Sequence, residues 1–167
     1  MKESGGQEAV QKAYEAILDG DYERAVAWFE AALKADPNNA DYRYRLSITL
    51  ARSGRLEPAR GQAESACRLD PDNETYRLHL ARITARVLAQ EAKEAIETGD
   101  AERRAIPALK RALELDPLFV DGYVLLGLAY KENGQTEEAQ RTIREALRLD
   151  PRHPDAVRLW KAFRIGR

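Results

Sequence analysis

The sequence offers little from which a reaction centre could be built. Its 167 residues include one cysteine, Cys67, and two histidines, His79 and His153. A single cysteine excludes an internal disulfide framework and any site that needs a cysteine pair. The histidines lie far apart and have no cysteine or acidic pattern at ligand spacing around them, so no metal site is expected. Glycine-rich phosphate loops, G-x-S-x-G and H-E-x-x-H are all missing. No acid, base or nucleophile pair can be named, so the reading is a protein without catalysis or cofactor. There is no run of about 18 apolar residues, hence no expected membrane-spanning helix. The opening stretch MKESGGQEAV has no apolar core and is not read as a secretory signal. A formal net charge of −1 lacks the basic excess that nucleic-acid binding requires. These absences predict a cytoplasmic protein that binds neither nucleic acid nor membrane.

What the chain does have is a period. Four Asp-Pro pairs punctuate it: Asp36-Pro37, Asp70-Pro71, Asp116-Pro117 and Asp150-Pro151. The prolines are spaced by 34, 46 and 34 residues. Periods of this size are the mark of a repeat array. Alanines lie twelve before each proline, at Ala25, Ala59, Ala105 and Ala139, and five before, at Ala32, Ala66, Ala112 and Ala146. Ser47, Ala81 and Gly127 lie ten after the first three prolines. Small residues at fixed helical positions let helices approach closely, and Phe29, Leu109 and Ile143 fill the space between. Gly20, Gly54 and Gly134 each precede an alanine by five and end one helix before the next begins. Proline after aspartate stops the second helix, because it has no N–H and restricts the residue before it.

The stretches GDYERAVAWFEAALKADPNN (20–39) and GYVLLGLAYKENGQTEEAQRTIREALRLDP (122–151) carry these marks together. In the second they are Gly127, Tyr130, Gly134, Ala139, Ala146 and Pro151. In this the chain resembles the tetratricopeptide repeat family over nearly its whole length. The resemblance implies an all-α fold, a right-handed superhelical α-solenoid of antiparallel helix pairs with about nine helices. The expected organisation is a flexible stretch at 1–6 and one domain at 7–167. Its repeats span about 6–39, 40–73, 74–119 and 120–153. A capping helix at 154–165 follows, with Val157, Trp160 and Phe163 on its apolar face. Paired helices are expected at about 7–18 and 21–35, 40–53 and 56–69, 73–97 and 103–115, and 119–132 and 136–149. In the first repeat Ala9 and Ala16 replace the usual large aromatics, as terminal repeats often depart from pattern.

The third repeat is twelve residues longer than its neighbours. Pro71 to Gly99 spans twenty-eight residues where Pro37 to Gly54 and Pro117 to Gly134 span seventeen. Eleven extra residues therefore fall in its first helix, close to three turns, and one more lies between Gly99 and Ala105. The apolar stripe Leu80, Ile83, Val87, Leu88, Ala92, Ala95, Ile96 stays in phase, which predicts one unbroken helix. A longer first helix needs a return path. The expectation is an extended run at 98–103, with the second helix starting near Arg104 so that Pro107 falls in its first turn. The alternative is a helix starting near Asp100 and kinked at Pro107.

Function is expected from surface. In the family the first helix of each repeat lines a concave groove for an extended peptide or partner helix. By register the positions here include Tyr14, Tyr44, Arg45, Ile48, Arg52, His79, Arg82, Arg86, Leu128 and Lys131, with Val10 and Val124 beside them. Aromatic, aliphatic and arginine side chains are the usual anchors of a binding surface. The arginines favour an acidic or carboxylate-ended protein or peptide, unless they pair with acids such as Asp41 and Glu74. Family members that clamp chaperone tails use Lys and Asn where this chain has Val10, Tyr14, Arg45, Thr75 and His79, so that ligand is not expected. Val87, Leu88 and Ile96 on the long helix are candidate docking anchors. The runner-up reading is a self-associating assembly protein that uses the long hairpin or the terminal helix, as monomer or homodimer. Cys67, at the place of Leu33, Leu113 and Leu147, is expected to be a small buried hydrophobe.

Overall fold

The computed structural model describes residues 2–165, with side chains for 5–163. The described residues form nine α-helices and no strand. These are α1 (Lys2–Leu18), α2 (Tyr22–Ala35), α3 (Ala40–Arg52), α4 (Leu56–Leu69), α5 (Glu74–Glu97), α6 (Ile106–Leu115), α7 (Val120–Glu132), α8 (Thr136–Leu149) and α9 (Pro154–Ile165). A π-helical turn, Ala101–Ala105, leads directly into α6. Helix α1 begins at Lys2, five residues before the expected start near residue 7.

The punctuation works as local chemistry predicts. Gly20, Gly54, Gly99 and Gly134 have φ of 76°, 82°, 78° and 75°, a conformation that costs glycine nothing. At each, the next residue's N–H reaches back five residues to a helix carbonyl: Asp21 to Ala16, Arg55 to Leu50, Asp100 to Ala95 and Gln135 to Tyr130. This is the Schellman closure of a helix. At the other end of each pair, the N–H groups of Asp36, Asp70, Asp116 and Asp150 bond to Ala32, Ala66, Ala112 and Ala146. Asn39 and Asn73 then open the following helices, accepting from the N–H of Tyr42 and Tyr76 at 3.0 and 3.2 Å.

The chain divides into two compact units, Met1–Ile83 and Thr84–Arg167, with the division inside α5. In the first unit α1 packs on α2, α2 on α3 and α3 on α4. Its core joins Ala13, Val26, Phe29, Leu46, Leu50, Ala59 and Ile83. In the second unit α6 packs on α7, α7 on α8 and α8 on α9. One core there joins Ala89, Ala92 and Ala95 of α5 to Ala101, Ala105, Ile106 and Leu109, and to Leu126, Ala129 and Tyr130. A second joins Val124, Ile143, Ala146 and Ala156, with Leu159, Trp160 and Phe163 against it. Helix α9 thus covers the end of the last hairpin through Ala156, Leu159, Trp160 and Phe163. Val157 is half-buried and is not part of that cluster.

The long helix resolves differently from the expected return path. Residues 101–105 are helical, not extended, so the extended run at 98–103 is corrected. No run back is needed, because α6 shares a core with the second half of α5. The eleven inserted residues supply the first helix of that hairpin. Ala92 lies seven before Gly99, as Ala13, Ser47 and Gly127 lie seven before Gly20, Gly54 and Gly134. All four are buried. Pro107 is the second residue of α6, but the helical run begins at Ala101, nearer to the alternative of a helix starting near Asp100.

Candidate functional site

A concavity of about 220 Å³ opens on the first unit. Tyr14 and Ile17 of α1 line one wall, Phe29 of α2 forms the floor, and Tyr44, Arg45, Ile48, Thr49 and Arg52 of α3 form the other wall. Helix period places the α3 set on one face, since residues three, four and seven apart are neighbours along a helix. The floor is fixed by burial: Phe29 is 1% exposed, and Tyr14 sets its ring edge-on to it at 5.9 Å and 87°. Tyr14 itself is 39% exposed and available from outside.

Arg45 is held from two sides. Its Nε donates to the Asp41 carboxylate one turn earlier, and its guanidinium lies over the Tyr14 ring, 5.5 Å from the centroid. The Thr49 hydroxyl donates to the Arg45 carbonyl at 2.9 Å. Arg52 is exposed and makes no ion pair with the described residues. Among the described residues no acidic side chain lines the concavity, and its charged groups are Arg45 and Arg52.

Behind this wall Tyr44 packs against Tyr76, with centroids 5.0 Å apart, and against the His79 ring at 5.1 Å in an edge contact. Burial pushes the Tyr76 hydroxyl above its ordinary pKa, and the Asp41 and Asp70 carboxylates push the same way. The phenol therefore stays neutral. His79 is half-buried and bonded to Ser47.

The concavity brings together Tyr14, Tyr44, Arg45, Ile48 and Arg52 from the expected set. His79 adjoins it through Tyr44, whereas Arg82 is exposed on α5 outside the lining. In the second unit Arg86 and Lys131 are exposed and Leu128 is half-buried. The expected docking anchors on α5 need correction. Val87 is only 2% exposed. Leu88 and Ile96 are half-buried, and Ile96 packs against the core of the second unit. Ile96 thus belongs to the core that α6 and α7 share with that half of α5, and Val87 is buried within the chain itself. Cys67 is half-buried rather than buried. Ile17, Phe29 and Thr49 were not among the expected groove residues, although Ile17 follows Tyr14 by one helical turn, a signal present in the sequence.

Among the described residues no group of three or more His, Cys, Asp or Glu is placed to hold a metal ion, and no helix is long and apolar enough to cross a membrane. Two family models, each described as tetratricopeptide repeat, match residues 16–83 and 108–141, together more than half of the chain. The chain belongs to the tetratricopeptide repeat family. Solved structures agree on the fold. MamA (residues 41 to the end) from Desulfovibrio magneticus RS-1 is 18% identical with a TM-score of 0.58, over 96% of this chain and 84% of that one. A second MamA structure is 23% identical with a TM-score of 0.54, over 92% and 83%. A tetratricopeptide repeat protein from Parabacteroides merdae ATCC 43184 is 21% identical with a TM-score of 0.55, over 96% and 59%. At these identities the likeness is one of fold. No curated protein matches the sequence. This tetratricopeptide repeat protein is an all-α solenoid of helical hairpins. Proteins of its family are generally interaction scaffolds rather than catalysts.

Proposed function

We propose that the first unit binds an extended segment of a partner protein in the concavity between α1 and α3, and that the segment carries an acidic side chain or a terminal carboxylate. One observation carries this reading: among the described residues the lining combines aromatic and aliphatic side chains with two arginines and no acid. An apolar side chain gains by leaving water against Tyr14, Ile48 and Phe29. A carboxylate gains a fork of N–H donors at Arg52, whose guanidinium makes no ion pair with the described residues.

The test is a pull-down from the source lysate with wild type, Arg52→Glu and Tyr44→Ala. Loss of the same partner from both variants supports the reading. If both variants retain every partner, the concavity is not the binding surface.

A further inference from the structure

Asp41 stands one turn before Arg45 on α3 and outside the lining of the concavity. Its carboxylate nevertheless holds the Arg45 guanidinium, which lies on the Tyr14 ring. Arg52, seven residues further along the same helix, has no such rival among the described residues. The two arginines of the site are therefore unequal. One is open, and the other is already occupied by a carboxylate of the chain itself.

We propose that Asp41 is a built-in competitor for the partner's acidic group: it occupies Arg45 in the unbound protein, and a partner must displace it to engage both arginines. This rests on the groove-binding function proposed above and adds the rule by which the groove selects its ligand.

Two features make the displacement feasible. The Asp41–Arg45 pair is open to solvent, with side chains 45% and 37% exposed. Exposed pairs of this kind contribute little to stability, so exchanging one carboxylate for another costs little. Asp41 also sits in the first turn of α3, where the helix N-terminus favours its charge after Arg45 has left. Burial raises the Asp41 carboxyl above its ordinary pKa, which opposes leaving it unpaired and is part of the threshold that a partner must overcome.

Spacing then defines the ligand. Seven residues of helix separate Arg45 from Arg52 by about 10 Å along the axis. An extended peptide covers that distance in about three residues. A segment with two acidic groups about three residues apart, and an apolar side chain between them for Ile48 and Tyr44, reaches both arginines. A segment with one acid is satisfied at Arg52 and does not meet Asp41. The competitor thus raises the threshold for doubly acidic segments and leaves singly acidic ones unaffected.

The experiment uses an array of short synthetic peptides with two, one or no glutamates around a leucine, and glutamines as controls. It is probed with the wild type, Asp41→Asn and Arg52→Glu. The expected result is capture of acidic peptides by the wild type and loss of that capture in Arg52→Glu. Asp41→Asn should strengthen capture of two-glutamate peptides about twofold to fivefold and leave one-glutamate peptides unchanged. Equal capture of two-glutamate peptides by wild type and Asp41→Asn overturns the competitor role while leaving groove binding in place. Equal strengthening of one- and two-glutamate peptides is a general charge effect and overturns it too. Capture of no acidic peptide by the wild type or by either Asp41 variant overturns the groove reading itself. Asp41→Ser, checked with Asp41→Asn by circular dichroism melting, carries the comparison if the asparagine variant unfolds.

Discussion

Ser47 and His79 meet in a 2.8 Å hydrogen bond between Oγ and Nε2. The Ser47 hydroxyl has one proton and donates it to the Ala59 carbonyl at 2.7 Å. Nε2 of His79 is therefore the donor in this bond. One buried hydroxyl thus ties α3 to α4 and to the start of α5, directly behind the tyrosine wall of the concavity. Removing it by Ser47→Ala should cost about 1 kcal/mol, read as a lower urea midpoint. Because the two side chains share one bond, Ser47→Ala and His79→Ala should cost less together than the sum of the two single changes. Strict additivity would count against the shared bond.

Two helical glycines should respond to alanine in opposite directions. At Gly61, inside α4, a Cβ would meet nothing within 4 Å, so only the helix preference for alanine acts. Gly61→Ala should stabilise by about 0.5–1 kcal/mol. At Gly127, inside α7, a Cβ would stand 2.5 Å from Ile143 Cδ1 and 2.7 Å from its Cγ1. Ile143 is fully buried and has no room to retreat. Gly127→Ala should cost about 1–3 kcal/mol, and Ile143→Val, which removes the nearest carbon, should recover part of it. Thermal melts of the three variants check both signs.

Helix boundaries were legible because glycine and Asp-Pro act locally, and each stop works without reference to the rest of the chain. The pairing of α5 was harder to read. Counting forward from Pro71 gives the whole of α5 to one repeat and leaves a gap to bridge. Counting back from Gly99 places Ala92 at the same step as Ser47 and Gly127, which assigns its second half to the hairpin with α6. Both counts are in the sequence, and only packing decides between them. The apolar positions of α5 form a stripe in the sequence, but the stripe does not say whether its cover is a partner or the chain itself. For Val87 and Ile96 it is the chain. In the candidate site, helix period placed Tyr44, Arg45, Ile48 and Arg52 on one face. The engagement of Arg45 with Asp41 was only one of several options there, since long flexible side chains settle by local geometry.

Cys67 should react slowly. The side chain is half-buried, and burial pushes its thiol above the ordinary value, with Arg77 pulling only partly the other way. The thiolate is the reactive form, so little of it is present at neutral pH. Alkylation by iodoacetamide should be slower in the native protein than in urea, and should accelerate only when the pH rises past the ordinary thiol range. A native rate equal to the unfolded rate at neutral pH would contradict this placement.

The π-turn at Ala101–Ala105 has two candidate causes, which variants can separate. Gly99 to Ala105 is six residues, whereas the other three turn glycines stand five before their alanine. A π-turn takes up one surplus residue within a helix, and the Ile106 N–H bonds to the Ala101 carbonyl five residues back. Pro107 follows directly. In a regular α-helix its ring would press on the Arg103 carbonyl, at a cost of about 3 kcal/mol. The surplus residue is the primary cause if Ala105 must keep its fully buried place in the core. Pro107→Ala alone should then leave the π-turn intact with little change in stability. Deleting Glu102 alone should restore the common spacing but set Pro107 inside a regular helix, with a loss of about 3 kcal/mol. Deletion combined with Pro107→Ala should recover most of that loss and give a continuous α-helix from Ala101 to Leu115. Backbone hydrogen-bond patterns by NMR and urea midpoints measure both quantities. If Pro107→Ala alone converts the turn to α-helix, the proline and not the extra residue holds it open.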